Sequence, residues 1–370
     1  MGLFFLTVGI VGVQAQTYTE TILYNFPLSP AGYYPHPRSL VIDSAGNLYG
    51  AAPGGGSCDG NAGSCGILFE LSTNGTFSAL YNFSGQSDGF GPCCLVIDKS
   101  GDLYGTTGGG GVGWGTIFKF ATTTKKFSTL HEFRRISSDG INPAGPLTLG
   151  SDGNLYGVTT EGGANGYGVL FKVTPKGRES VVFNFTVANY PIFSGLTNIL
   201  RDAEGNFFGV MSFCCLIEIT SGGVELTLAT PGSNSGSYFL QGTLARDASG
   251  NFYGGFEDGA INDGVWEVNG STFAVSYFNS FGGYPTGPLM FSGGDVHGTV
   301  SPGGVYNEGY VYDLSVATGV QSHLYDFGAY PTDGANPFGG IVRDSHGSRY
   351  GTTDVGGIFG YGTIFKLTEN

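Results

Sequence analysis

The chain has few charged residues and no basic cluster. Its 370 residues include 15 lysines and arginines against 29 acidic residues, and no basic run exceeds a pair such as Lys125–Lys126. A nucleic-acid-binding surface needs a concentrated positive footprint to replace the counterions of the phosphate backbone. The sequence therefore argues against a nucleic-acid partner. The net charge of −14 suits a cation or a neutral polymer as partner, or serves solubility alone.

Long apolar runs are also missing. The longest, Leu3–Val13, is too short to cross a bilayer as a helix. It resembles the apolar part of a secretory signal, with a small-residue cleavage site at Ala15, although a positively charged start is lacking. We expect residues 1–15 to be a signal peptide; the alternative is a buried strand. Residues 17–370 are then expected to be one exported domain, extracellular or periplasmic, monomeric and without a membrane partner.

Sequence signatures of catalysis and of cofactor binding are absent. There is no phosphate-binding loop, no nucleophile elbow and no metalloprotease motif. His131 and His297 occupy tyrosine positions of a repeat described below, which indicates packing roles. The sequence therefore predicts no metal and no cofactor and favours a non-enzymatic role. A glycosidase with paired carboxylates stays open, because its acids can come from distant segments; the candidates are Glu161, Asp258 and Glu308.

The six cysteines fit an oxidising compartment. Cys58 and Cys65 bracket a short loop, and we predict a disulfide between them. The other four form the adjacent pairs Cys93–Cys94 and Cys214–Cys215. Neighbouring residues on a strand point to opposite faces, so each pair needs a local distortion to close. Vicinal disulfides and free buried thiols both remain open, and the absence of C-x₂-C spacing argues against zinc.

Glycine and aromatic residues are unusually abundant in the chain. Glycine supplies 68 residues and aromatics 14 % of the chain, a composition typical of short strands and tight turns. A motif of the form D-x-x-G-N-L-Y-G recurs with its last glycine 44 to 55 residues apart, the period of propeller blades. The closing glycines are Gly50, Gly105, Gly157, Gly209, Gly254, Gly298 and Gly351.

One period reads as four strands. In the second period these are Cys94–Asp98, Leu103–Thr107, Thr116–Phe120 and Phe127–Phe133, separated by turn residues. No segment has a 3.6-residue apolar period, so essentially no helix is expected. Consecutive apolar residues, as in "GTIFKF", indicate strands buried on both faces, which blades packed face to face would provide.

The last period supplies only three strands before the chain stops at Asn370. The missing fourth strand, of the type "LYNF", has a spare copy at Thr19–Phe26. The sequence therefore predicts an all-β, seven-bladed β-propeller with four antiparallel strands per blade. In this propeller Thr19–Phe26 closes the last blade and removes an exposed sheet edge.

These strings carry a family resemblance. "GNLYGTT", "GYGTIFKLT" and "LYNF" resemble the GloVer-type tandem repeats of secreted and surface proteins, over about Thr19 to Asn370. The resemblance implies the repeat fold and export, and it leaves the function open.

The long loops follow strands two and four and share one face of the propeller. Aromatic rings among their glycines suit stacking on sugar rings, with nearby polar groups for hydrogen bonds. The alternative is that these rings pack on neighbouring blades and plug the mouth. The predicted ligand-binding residues are Trp114, Tyr167, Tyr306, Phe359, Tyr361 and His36. The recurring Asp88, Asp139 and Asp333 are predicted to cap loops rather than to bind calcium.

The sequence favours a secreted, non-catalytic binding protein for an extracellular polysaccharide or small ligand. One alternative is a propeller lyase or hydrolase acting on glycans or small molecules. The other is a structural or adhesive surface protein.

Overall fold

The computed structural model describes residues 18–28, 32–36, 38–56, 58, 64–186, 196–211, 215–231, 239–257, 263–279, 281–285 and 287–370. The expected signal peptide, Asp258 and Cys214 lie outside the described residues. Within the described part of the chain there is no helix, and strands form seven four-stranded antiparallel sheets. The predicted fold class is confirmed.

The strands follow one another blade by blade. Blades one to three contain β2 (Val41–Ile42), β3 (Leu48–Ala52), β4 (Ile67–Leu71), β5 (Phe77–Asn82), β6 (Phe90–Ile97), β7 (Leu103–Gly109), β8 (Thr116–Ala121), β9 (Lys126–Glu132), β10 (Gly140–Leu149), β11 (Leu155–Gly162), β12 (Val169–Val173) and β13 (Glu179–Asn184). Blades four to six contain β14 (Leu196–Arg201), β15 (Phe207–Met211), β16 (Cys215–Ile219), β17 (Glu225–Ala229), β18 (Phe239–Arg246), β19 (Phe252–Glu257), β20 (Gly264–Val268), β21 (Val275–Asn279), β22 (Met290–Ser292), β23 (Asp295–Val300), β24 (Tyr310–Ser315) and β25 (Gln321–Asp326). Blade seven contains β27 (Val342–Arg343), β28 (Arg349–Thr353), β30 (Thr363–Glu369) and β1 (Tyr18–Asn25), and β26 (Gly334–Ala335) pairs with β29 (Val355–Gly356) beside it.

The first strands of the blades surround the centre of the ring. β2 contacts both β6 and β27, its neighbours on either side. A central cavity of about 230 Å³ is lined by residues that lie in or just before first strands, among them Leu95, Leu244 and Ile341. The fourth strands therefore lie at the outer rim.

Seven hydrophobic clusters hold the ring together, and each lies between two adjacent blades. In β4, Ile67 and Phe69 join the cluster shared with blade seven, while Leu68 joins the cluster shared with blade two. Successive residues of a strand thus serve opposite faces. This arrangement explains why the third strands carry apolar residues at successive positions.

The amino-terminal strand closes the ring as predicted. β1 pairs antiparallel with β30, from Tyr18 opposite Glu369 to Asn25 opposite Thr363. Tyr18 is buried in the cluster between blades six and seven, and Phe26 is buried between blades seven and one. The segment therefore belongs to both interfaces of the last blade.

The glycine of the "LYG" motif provides room for an aromatic ring. Gly105 on β7 lies opposite Phe118 on β8, and a Cβ atom there would lie 2.5 Å from the ring. The same pairing joins Gly50 with Phe69 and Gly351 with Phe365. The residue is glycine because the ring covers its backbone.

The repeated aspartates hold the turns between first and second strands. One carboxylate oxygen of Asp98 accepts the backbone N–H groups of Ser100 and Asp102, at 2.8 and 3.0 Å. The other oxygen accepts the hydroxyl of Tyr104 at 3.1 Å. Asp43, Asp247 and Asp344 each accept the hydroxyl of a motif tyrosine in the same way. These aspartates are structural.

Glu20 on β1 is a half-buried acid at the point of closure. It lies beside Asp333 and Tyr325, and one of its carboxylate oxygens is buried without a hydrogen-bond partner. Burial, together with the negative charge of Asp333, raises the pKa of Glu20 to about 8. The closing strand therefore carries a carboxyl group that favours its protonated form.

The glycine–aromatic pairing is tested by Gly105→Ala. The added methyl group overlaps the Phe118 ring, so we expect a loss of about 1–3 kcal/mol in the free energy of unfolding, measured by urea denaturation. The control is Gly222→Ala, where the nearest atom to the new Cβ is 3.8 Å away. Equal stability of the two variants would contradict the packing explanation.

The role of the half-buried acid Glu20 is tested by Glu20→Gln. A carboxyl group whose pKa is higher in the folded than in the unfolded state stabilises folding at low pH, and this contribution is lost as the pH rises through about 8. We expect Glu20→Gln to flatten the decline in stability between pH 5 and 8, by no more than about 1.4 kcal/mol per pH unit. Denaturation curves at several pH values measure this slope, and parallel pH profiles would overturn the assignment.

Candidate functional site

The loop face comprises the loops between second and third strands together with the connections between blades. The glycines of these loops allow close contact between adjacent blades. Gly115 has a φ of +93°, and a Cβ there would lie 2.7 Å from the Pro143 ring of the next blade. The carbonyl of Trp114 accepts the N–H of Asn142 at 3.1 Å. The same glycine–proline contact joins Gly66 with Pro92, Gly309 with Pro337 and Gly362 with Pro35.

Polar residues at the ends of the fourth strands hold the loop tips over the outer rim. The side chain of Asn25 accepts the backbone N–H of Ile358 at 2.9 Å. The side chain of Asp326 accepts the N–H of Val305 at 3.0 Å. The asparagine of "LYNF" therefore fixes the neighbouring loop, and the residues that follow on the tips project outward.

The predicted ligand-binding aromatics separate into two groups. Tyr167, Tyr306 and Phe359 are 37 %, 50 % and 52 % exposed on the loop face. Trp114 is half-buried, packs against the cluster between blades two and three, and lies under the guanidinium of Arg135.

Tyr361 belongs with Trp114. It is half-buried, and its ring makes edge contacts with the rings of Tyr33 and Tyr34 at 6.0 and 5.7 Å. The rings of the first group are accessible to solvent, whereas those of the second group fill the space between loops. Exposed and packed rings therefore both occur, and in blade seven Phe359 and Tyr361 show both within one loop.

Further exposed rings on this face escaped the residue-level prediction. Tyr330 is 69 % exposed, and Phe90 and Tyr34 are also exposed. Tyr306 lies beside Gly328, two residues before Tyr330, so these two rings belong to one sector of the face. All three lie in or next to the connections between blades, which contain several aromatic residues. The sequence does not show which of these rings points outward.

A positive group lies at the centre of the ring. Arg38 lines the central cavity, and no ion pair among the described residues includes it. Burial lowers the pKa of its guanidinium. His36 accepts the backbone N–H of Arg38 through Nδ1 at 3.3 Å. Burial and then the charge of Arg38 lower the pKa of His36 to about 4, so its ring is neutral at neutral pH.

The described residues show two disulfides, one of which lies beside His36. Cys58 and Cys65 are bonded, as predicted, with Cα atoms 5.4 Å apart. Cys93 and Cys94 form a vicinal disulfide, which settles one of the two open pairs; Cys94 has a φ of +62°. The sulfur atoms lie within 4.8 Å of a ring nitrogen of His36. Because the sulfurs are bonded to each other, they provide no thiolate ligands in this state.

The loop aspartates act as caps, and the candidate acids stay apart. Asp88 accepts hydrogen bonds from the backbone and hydroxyl of Ser84, at 2.7 and 2.6 Å. Glu161 accepts the side-chain amide of Asn142 at 3.2 Å, and Glu308 lies on the opposite side of the ring, in blade six. No hydrogen bond or ion pair in the described residues joins these two acids.

The fold is shared with several solved structures. An extracellular domain from B. thetaiotaomicron has a TM-score of 0.62 at 14 % identity, covering 94 % of this chain and 40 % of that one. Oligogalacturonate lyase from Vibrio parahaemolyticus has a TM-score of 0.59 at 13 % identity, covering 95 % and 97 %. A GH74 enzyme from Niastella koreensis has a TM-score of 0.56 at 12 % identity, covering 83 % and 47 %.

The chain thus spans about two fifths of the B. thetaiotaomicron chain, and at these identities the likeness concerns the fold. No curated protein matches the sequence. Among the described residues, no helix has the length and apolar character needed to cross a bilayer. The family model called Gloeobacter/Verrucomicrobia repeat matches residues 9–214, more than half of the chain, and the chain therefore belongs to this family.

Proposed function

We propose that this protein is exported and binds an extracellular polysaccharide, or fragments of one, through the loop face without catalysis. The observation that carries the proposal is the set of rings held outward there. Many aromatic side chains of the described residues are buried between blades, yet Tyr306, Tyr330 and Phe359 are each at least half exposed. An exposed ring costs solvation free energy unless a ligand covers it, and sugar rings present a matching apolar face.

The rigid attachment of these rings supports binding. Their loops are fixed by hydrogen bonds to β1 and to Asp326, so little conformational entropy is lost when a ligand is bound. The neighbours of known fold include two enzymes whose names refer to glycans, oligogalacturonate lyase and a GH74 enzyme. Export agrees with the two closed disulfides and with the extracellular domain among those neighbours.

A glycan-active enzyme is the second candidate, and the centre of the ring favours it. Arg38 faces the cavity without an acidic partner among the described residues, so it suits the carboxylate of an acidic sugar. The neutral ring of His36 lies next to it and can exchange hydrogen bonds with the same ligand.

The binding proposal is tested with a panel of soluble polysaccharides that includes polygalacturonate and xyloglucan. We expect at least one polymer to retard the protein in affinity electrophoresis. The double variant Tyr306→Ala/Phe359→Ala should weaken that binding about tenfold or more, because each ring contributes ~1 kcal/mol. The control is Phe273→Ala, which removes an exposed ring from the opposite face. The proposal fails if no polymer is retarded, or if both variants bind like the unmodified protein.

The enzyme candidate is tested on the same polymers by following chain length and new unsaturated or reducing ends. Turnover that His36→Ala reduces by about 10²-fold or more would establish catalysis at the ring centre. If a polymer binds and stays intact over many hours, the non-catalytic proposal stands. Turnover that survives His36→Ala would place the chemistry elsewhere.

A further inference from the structure

A second cluster of titratable side chains lies in the groove between blades two and three, away from the ring centre. It consists of His131 on β9, Asp139 in the connection between the blades, and Glu179 on β13. One ligand atom from each residue lies within 4.8 Å of the other two. The same three side chains line a cavity of about 460 Å³, together with Glu132 and Arg134.

The histidine and the aspartate are arranged like two ligands of one ion. Nε2 of His131 lies 3.2 Å from each carboxylate oxygen of Asp139. Atoms that each lie ~2.1 Å from a shared metal ion are separated by about 3 Å. The backbone N–H of Arg134 fixes Asp139 in place at 2.9 Å.

Glu179 provides a second indication of a cation site. Oε1 of Glu179 is buried and has no hydrogen-bond partner. An unpaired buried carboxylate oxygen costs free energy, and a cation in the groove would satisfy it.

The equivalent positions in the other grooves of the ring carry different residues. Between blades six and seven, Tyr325 takes the place of His131, and its hydroxyl donates to Asp333 at 3.1 Å beside Glu20. Between blades one and two, Tyr81 donates to Asp88, and Phe127 stacks on the Tyr81 ring at 3.9 Å. Among the described residues, the groove between blades two and three is the only place where ligand atoms of a histidine and two carboxylates all lie within 4.8 Å of one another.

We propose that His131, Asp139 and Glu179 bind one divalent transition-metal ion, with Zn²⁺ or Mn²⁺ as the matching class. One imidazole and two carboxylates are a ligand set that both ions accept. Three protein ligands leave coordination positions that point into the cavity, where water or a ligand oxygen can occupy them. The proposal stands apart from glycan binding, since it involves neither the exposed rings nor the ring centre.

The test uses the mature protein after treatment with EDTA, without reductant so that Cys93–Cys94 stays bonded. Isothermal titration with Zn²⁺ and separately with Mn²⁺ should give one site, and the ion should raise the unfolding temperature. His131→Tyr installs the residue found in the other grooves and keeps a donor to Asp139, so it should fold. Because His131→Tyr removes a direct ligand, it should weaken metal binding by more than the roughly 10- to 100-fold typical of outer-shell changes. Glu179→Gln should weaken metal binding to a similar extent.

The matched control is Glu20→Gln, which alters the equivalent acid in the groove where Tyr325 stands in place of the histidine. It should leave metal binding unchanged. The proposal is overturned if the stripped protein binds neither ion with one-to-one stoichiometry. It is equally overturned if His131→Tyr binds the ion as well as the unmodified protein, because the ion would then occupy another place.

Discussion

The hydrogen-bonded ladder between β1 and β30 is the constraint on which the remaining structure depends. It joins the two ends of the chain in one blade, whereas every other blade is built from a continuous segment. Without β1, the edge of β30 would be unpaired, and two of the seven clusters would lose Phe26 or Tyr18. Because blades contact only their neighbours, the circular arrangement of loops and grooves requires this single pairing.

The high glycine content follows from how closely the blades and strands approach one another. Gly105 lies under the ring of Phe118 with an ordinary backbone conformation, while Gly115 combines a positive φ with contact to Pro143. The first contact is within a blade and the second is between blades. Both are repeated around the ring, so these glycines are explained by packing rather than by loop mobility.

The repeat allowed the architecture to be predicted, including the unusual position of the amino-terminal strand. The predicted strand boundaries were less accurate where hydrogen bonding to a neighbouring strand overrides the local conformational preference of the residues. The first strand of blade two was predicted to start at Cys94, but β6 already starts at Phe90, because Pro92 and Cys93 pair with β7 despite the adjacent glycines.

The exposure of individual aromatic side chains was harder to predict than the strand boundaries. Trp114 and Tyr306 occupy similar glycine-rich loops, yet Trp114 is half-buried and lies under Arg135, a contact that the local sequence does not reveal.

The groove between blades two and three shows why its chemistry is invisible in the linear sequence. His131 reads as a conservative replacement of tyrosine, and Glu179 occupies the position where blades one and two have Phe77 and Phe127. In those blades the phenylalanine stacks on the preceding tyrosine, at 4.0 Å for Phe77 on Tyr24. Replacing an aromatic pair by an imidazole and a carboxylate leaves the backbone of both blades intact. The repeat can therefore change the chemistry of one groove independently, and only the ring geometry shows that two such replacements face the same aspartate.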